Sequence, residues 1–324
     1  MGSTMHLAIS LNIAATDGQD VLDFGQISAF VRKTEAAGVD MVIISDSADK
    51  PSSSPFEATT LLAALATVTD KIGLVAGAST LAHQPYNLAR RFASLDIISH
   101  GRIGWNATTA QNPREAANFS RPEGFSDDDF RRRAREFIDI VRLLWIGWEH
   151  DALLFDKASG RFHDPDKMHP ADFTGEFFSV RGPLNVARSP QDVPVLVMSG
   201  LAGTELDFAS RRADVVLLDK LEPSGARATC DEIKRRAHEA GRDPVTIKVL
   251  AMADAGPEHD GRGLEDLCLS SGCDGIVLTV QPRAAALEAL VERLLPDLKR
   301  HGFAKAKPGK TLRDRLGLSE DSKP

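Results

Sequence analysis

The sequence predicts an α/β protein built as a closed (β/α)8 TIM barrel, and three observations lead there. Eight short runs are apolar throughout, which a parallel sheet covered by helices requires. Segments with helical spacing of apolar residues alternate with these runs along most of the chain. No GxGxxG follows the first run, and GAST at Gly77–Thr80 is not that fingerprint, so an open doubly wound sheet is the weaker reading.

In chain order, strand Leu7–Leu11 precedes helix Gln26–Ala37, and strand Met41–Ser45 precedes helix Pro55–Val68. Strand Ile72–Ala76 leads into helix Pro85–Ser99, which His100-Gly101 ends with a glycine able to take positive φ. Strand Arg102–Trp105 is followed by helix Asp128–Ile146. The second half repeats the unit: Val195–Met198 with Gly203–Arg212, Val215–Leu218 with Gly225–Ala240, Ile247–Ala251, and Gly275–Thr279 with Pro282–Lys299. Between Trp148 and Asp192 the rhythm breaks into a long stretch rich in Asp, Gly, Pro and His, predicted to fold back over the barrel mouth. Residues 1–304 are expected to form one barrel domain. The charged, Gly/Pro-containing 305–324 reads as a C-terminal arm or tail rather than core.

Composition narrows the function. The 324 residues carry a net charge of −7 with both signs interspersed, so no basic stripe favours nucleic acid. Arg131, Arg132, Arg133 and Arg135 read as a solvated helix face. Cys230, Cys268 and Cys273 form no disulfide framework and no zinc spacing, which suits a reducing cytoplasm. No apolar run approaches membrane-spanning length, and MGSTMHLAISL lacks the basic segment of a signal peptide.

Ligands of parallel α/β barrels bind at the carboxyl ends of the strands. Asp46 follows the second strand, Ser79 and Thr80 the third, and Asn106, Thr108 and Thr109 the fourth, so polar residues converge on one face. After the fifth strand, MSGLAGTE places Gly200 and Gly203 ahead of a helix, where free N–H groups can hold a phosphate or simply form a βα turn. His163, Asp164, Asp166 and His169 lack helical metal spacing, and their Asp-Pro and His-Pro steps mark a turn-forming loop, so no metal is predicted. Trp105, Trp145 and Trp148 read as packing residues, and no Ser-His-Asp or Cys-His nucleophile can be nominated.

Five stretches make the chain recognisable: LLAALATVTDKIGLVAGAST (Leu61–Thr80), ARRFASLDIISHGRIGWN (Ala89–Asn106), REFIDIVRLLW (Arg135–Trp145), GEFFSVRGPLNVARSPQDVPVLV (Gly175–Val197), and LPDLKRHGF with GKTLRDRLGL near the end. Together they resemble the bacterial-luciferase-like flavin monooxygenases, in the branch of nitrilotriacetate, dibenzothiophene-sulfone and long-chain-alkane monooxygenases. The resemblance implies a barrel that takes reduced FMN from a separate NAD(P)H:flavin reductase and uses O2 to oxygenate a small organic substrate. It also implies a homodimer or larger assembly. Asp46, Ser79, Thr80 and Asn106 match positions lining the flavin, and Ser199, Gly200, Leu201 and Ala202 match the phosphate-binding turn.

Departures from the family pattern open alternatives. The family's His and Tyr ahead of RAxEF fall at Asp127 and Arg131, where Arg131 could supply charge to the phosphate. Its AGSS turn has lost two hydroxyls at Leu201 and Ala202, and Leu81 replaces a second Thr. A late insertion is missing around Met252–Cys273, and the aromatic N-terminal segment is reduced. One reading is therefore an FMN-dependent monooxygenase. Another is a non-catalytic homologue, with flavin binding lost or weakened, serving as a binding or partner subunit. A deazaflavin enzyme stands behind both.

Overall fold

The structure, a computed structural model, describes residues 5–14, 21–46, 54–109, 111–119, 123–201, 203–219, 223–305 and 308–318. The barrel begins with β1 (His6–Asn12), β2 (Met41–Ser45), β3 (Gly73–Ser79) and β4 (Ile103–Thr108). Two small hairpins follow, β5 (Leu153–Asp156) with β6 (Arg161–His163) and β7 (Phe173–Thr174) with β8 (Ser179–Val180). The barrel then resumes with β9 (Val195–Ser199), β10 (Val215–Leu218), β11 (Lys248–Asp254) and β12 (Gly275–Val280). All eight barrel strands are parallel and close in the order β1-β12-β11-β10-β9-β4-β3-β2, which is the predicted (β/α)8 barrel.

The helices are α1 (Phe24–Ala37), α2 (Ala58–Ala66), α3 (Pro85–Ile98), α4 (Pro113–Ala116), α5 (Asp127–Trp145), α6 (Leu206–Arg212), α7 (Pro223–Glu239), α8 (Gly261–Ser271), α9 (Ala284–Ala289), α10 (Leu295–Arg300) and α11 (Leu312–Leu316). None among the described residues is long and apolar enough to cross a membrane.

Several boundaries move for identifiable reasons. The expected start of α2 at Pro55 shifts to Ala58, because the Glu57 carboxylate caps the Thr59 and Thr60 N–H groups. Asn106 and Thr108, expected beyond the fourth strand, lie within β4, paired with Gly77 and Ser79 of β3. Helix α8 was not predicted: two glycines and two serines weaken its helix propensity, yet Asp260 caps it and Leu264 and Cys268 bury one face. The helix expected over Pro282–Lys299 carries a π turn at Leu290–Leu294, where Pro296 has no N–H to donate to the preceding turn.

The predicted lid is instead a strap along α5. Its first part stays at the carboxyl end of that helix, where Trp148 Nε1 donates to the Leu184 carbonyl and the His169 N–H to the Gly147 carbonyl. Only the β7–β8 hairpin rises beside the amino half of α5. There the Glu136 carboxylate accepts the backbone N–H groups of Glu176, Phe177 and Phe178.

Residues 308–318 are also packed, contrary to the reading of a tail outside the core. Leu312 and Leu316 join the apolar residues inside the barrel, including Ala8, Ile43, Val75, Val197 and Val277. The Leu312 N–H donates to the Gly101 carbonyl at 2.8 Å, which puts α11 at the amino-terminal end of the strands. Gly73 is needed there, since a Cβ would stand 2.5 Å from Leu312 Cδ1. The charged composition of 305–324 had suggested a tail, but Arg313 is buried and binds Asp214 at 2.9 Å.

Burial alone would raise the Asp214 pKa. Arg313, Arg142 and Arg242, together with the Leu196 N–H, outweigh it and hold the carboxyl below its ordinary 3.8. With a depressed folded value, this carboxylate contributes its full stability above the ordinary aspartate range and loses it as pH falls through the folded value. Arg313→Ala leaves Asp214 buried without its closest cation and is expected to cost about 3–5 kcal/mol at neutral pH. Urea denaturation at neutral and acid pH checks this: the deficit should shrink in acid, where Asp214 is protonated in either protein.

Candidate functional site

Strand alternation sorts the barrel's residues before any ligand is considered. Ala8, Met41, Ile43, Val75, Val195, Val197, Val215, Leu217, Leu250 and Val277 face inward. Side chains two residues apart share a face, so Asn12, Ser45, Ser79, Asn106, Thr108, Ser199, Asp254 and Thr279 also face inward, at or near the carboxyl ends. The interior thus changes from apolar at its centre to polar at its mouth. Ser199 Oγ donates to Asn106 Oδ1 at 3.1 Å, uniting two of the predicted site residues across β4 and β9. Two hydroxyls, Thr109 Oγ1 and Thr279 Oγ1, are buried and have no hydrogen-bond partner among the described residues.

A second group gathers over β2 and β3. Asp46 Oδ2 accepts the Ala58 N–H at 2.8 Å and so fixes the start of α2. Ser79 Oγ donates to Glu115 Oε2 at 2.6 Å and accepts the Leu81 N–H. His83 Nδ1 lies 3.0 Å from the Ser79 carbonyl oxygen, and its Nε2 is 3.3 Å from an Arg91 nitrogen. Burial pushes the Glu115 carboxyl above its ordinary value, against the Ser79 hydrogen bond and the nearby His83. Burial likewise raises Asp46, against the Ala58 N–H, with Glu57 adding repulsion. Two carboxyls whose pKa values burial raises therefore share the mouth with an imidazole.

Glu115 and His83 were not nominated from the sequence. Asn112-Pro113 followed by an acid is the start signal of a helix, and it lies just past β4. That signal would have brought Glu115 to the site. Nothing local distinguished His83.

The other predicted residues fall in different places. Thr80 is fully buried, with its hydroxyl donating to the Thr108 carbonyl at 3.2 Å and its own carbonyl accepting from Arg133 at 2.6 Å. Arg133, expected on a solvated face, is buried, with its guanidinium over the rings of Phe125 at 5.4 Å and Phe178 at 4.7 Å. Arg131 instead donates to Asp128 Oδ1 at 2.5 Å, and Glu205 also interacts with its charge. Gly200 takes φ +65°, with open space where a Cβ would stand, and Leu201 packs against the core. Ala202 lies outside the described residues. No group of three His, Cys, Asp or Glu side chains able to hold a metal occurs among the described residues. His169, from the acidic loop, instead pairs with Glu149 at 2.8 Å.

A barrel with a polar mouth is shared by many enzymes, so similarity to known proteins decides the family. Residues 5–258 match the sequence profile of the luciferase-like monooxygenases. The chain belongs to that family. It is 40% identical over 243 residues to N-acetyl-S-(2-succino)cysteine monooxygenase of Bacillus subtilis, covering 73% of this chain and 55% of that protein. It is 44% identical over 191 residues to nitrilotriacetate monooxygenase component A of Aminobacter aminovorans, covering 59% of this chain and 42% of that one. The luciferase-like chain thus spans about half the length of these curated relatives. A pristinamycin IIA synthase polypeptide of Streptomyces pristinaespiralis, one of that synthase's subunits, is 36% identical and matches nearly end to end, over 91% of this chain and 89% of that protein. The crystal structure of a long-chain alkane monooxygenase shares the fold with a TM-score of 0.87 at 20% identity, over 99% of this chain and 97% of that one.

The Glu115 geometry yields a stability prediction. A carboxyl whose folded pKa is raised costs stability above its ordinary value of 4.5 and nothing in acid, where it is protonated folded or unfolded. Glu115→Gln keeps an acceptor for Ser79 and removes the buried charge. Its melting temperature should equal or exceed that of the parent at neutral pH, with no gain in acid. A clear loss at neutral pH would mean the carboxylate is held charged.

Proposed function

We propose that this chain is the oxygenating component of an FMNH2-dependent, two-component monooxygenase. A separate NAD(P)H:flavin reductase supplies the reduced flavin, O2 is the co-substrate, and a small organic molecule is oxygenated. One observation carries the reading: in a barrel of this family, the carboxyl ends of the strands converge as a polar ring that contains orphan hydroxyls at Thr109 and Thr279.

The residues present fit such a cofactor. The unpartnered hydroxyls need a polar ligand, and the turn at Gly200 leaves open space beside exposed backbone. Asn106, held by Ser199, would present an amide to the isoalloxazine edge, while Asp46, Ser79 and Thr80 would line the adjoining wall. Ser199, Gly200, Leu201 and Ala202 would receive the phosphate through backbone groups. Arg131 would lend only partial charge, being shared with Asp128 and Glu205. When bound, the reduced flavin supplies the electrons that activate O2. The protein's own part is to orient the ring, keep water out and hold protons. Leu81, Ala116, Phe125 and Phe130 form an apolar cluster suited to excluding water. Burial raises the pKa values of Glu115 and Asp46, which favours proton uptake by these carboxyls relative to exposed ones.

A second reading has its own support. Of the sequence relatives above, the two monooxygenases align with this chain over only about half of their own length, whereas one subunit of a synthase matches nearly end to end. On that reading the chain works beside another protein chain, with flavin binding shared or lost.

Anaerobic titration of the purified protein with FMNH2, with oxidised FMN as control, tests the proposal. Binding of the reduced form is expected, and Asn106→Ala should weaken it about three- to tenfold, the worth of one hydrogen bond. No binding of either form by the isolated chain would overturn the monooxygenase reading and favour the partner role.

A further inference from the structure

Three residues of α5 grip the β7–β8 hairpin, and one of them reaches on to the barrel mouth. Arg132, Arg133 and Glu136 lie within little more than one helical turn. Arg132 donates to both Glu176 carboxylate oxygens, at 3.1 and 3.0 Å. Glu136 accepts the N–H groups of Glu176, Phe177 and Phe178, so the backbone that carries the Phe178 ring is fixed. Gly175 permits that approach, because a Cβ there would collide with the Glu136 carboxylate.

The Phe178 ring in turn seats the Arg133 guanidinium at 4.7 Å, and the Phe125 ring meets the same cation at 5.4 Å. Phe125 also meets Phe177 edge-on at 6.3 Å and packs against the apolar cluster that contains Leu81. Seated by these rings, Arg133 Nη1 donates to the Thr80 carbonyl at 2.6 Å. The peptide it holds joins Thr80 to Leu81. On the other side of that peptide, the Leu81 N–H donates to Ser79 Oγ at 3.0 Å, and the Ser79 hydroxyl donates to Glu115. A trans peptide points its C=O and N–H in opposite directions, so a bond to the carbonyl also sets where the N–H points. Burying a guanidinium costs free energy that an apolar side chain of the same length would not, which marks its donor as the useful part.

We propose that Arg133 is a positioning residue: seated on the β7–β8 hairpin, it sets the Ser79–Leu81 turn so that the wall made by Ser79 and Thr80 receives the reduced flavin. The flavin part rests on the function proposed above, whereas the setting of the turn does not. Glu136 fixes Phe178, Phe178 seats Arg133, and Arg133 holds Thr80. The hairpin thus acts on the site from outside it, without touching a ligand.

Arg133→Met and Arg133→Lys test this in the full-length protein, with melting temperatures to establish that each variant folds. Methionine keeps an unbranched apolar stem against the two rings but cannot donate, whereas lysine restores a donor and a cation. Amide hydrogen exchange reads the turn without any ligand. Arg133→Met should speed exchange over residues 79–82 by at least about tenfold, the worth of a hydrogen bond to a charged group, and leave 74–78 of β3 unchanged. Arg133→Lys should restore most of that protection. In anaerobic FMNH2 titration, Arg133→Met should weaken binding about three- to tenfold, with Arg133→Lys between it and the parent. Should both variants fail to fold, Phe178→Leu removes the ring and keeps an apolar side chain, and it should speed exchange over the same segment by a smaller factor. If the parent binds no FMNH2, the monooxygenase reading fails and the exchange arm alone decides the role of Arg133. Unchanged exchange over 79–82, faster exchange spread evenly through β3 and α5, no rescue by lysine, or faster exchange with FMNH2 affinity unchanged from a binding parent would overturn the proposal.

Discussion

Closure of the parallel sheet is the constraint on which the rest of this structure depends. Once β1 pairs with both β2 and β12, every strand has two neighbours and each side chain must point either into the barrel or toward the helices. The narrow interior admits Ala8, Val75, Val197 and Val277 at its centre, and Gly73 where α11 presses in from below. The outward residues, such as Leu7, Ile44, Leu74 and Trp105, supply the larger core beneath the helices. Period-two alternation therefore decides packing and site together, because the same inward face that is apolar in the middle becomes the polar mouth.

Buried polar anchors hold the closed sheet in register. Arg102 directs its guanidinium to the carbonyls of Ala66, Thr69, Ile72 and Ser99 and to the Thr69 hydroxyl. It thereby ties the ends of α2 and α3 to the entries of β3 and β4. Further along β4, Trp105 donates to the Ala78 carbonyl and packs among Phe92, Phe137 and Trp145. Helix α5 carries that order outward, since Arg133 holds the Thr80 turn and Glu136 holds the strap. A side chain expected on a solvated face is thus a brace beneath the site.

The mouth combines two chemistries. Asn106 and Ser199 form a neutral hydrogen-bonding edge, whereas Asp46 and Glu115 are carboxyls whose pKa values burial raises. Membership in the luciferase-like monooxygenases gives that arrangement its most economical reading, with the protein positioning a cofactor and sheltering it. The nearly end-to-end sequence relation to one subunit of a synthase, set against the partial coverage of the two monooxygenase sequences, leaves a role beside a second chain as the competing reading.

Much of this was legible in the sequence because it is local. Runs such as Met41–Ser45 and Val215–Leu218 are apolar along almost their whole length, so their strand state and burial follow from the residues alone. Asp46, Ser79 and Asn106 could be assigned to one end of the barrel because parallel strands put their carboxyl ends together. What tertiary structure alone decided is where charged side chains find partners. Arg313 is buried because Asp214, distant in sequence, awaits it under the barrel, and Arg133 because two rings and a carbonyl surround it. Glu115 joins the site only when a short helix carries it to Ser79, and Cys230 meets the Gly272 carbonyl only across packed helices. A charge in a sequence reads as exposed, because burial of an ion is tolerable only with compensating groups that remote segments provide.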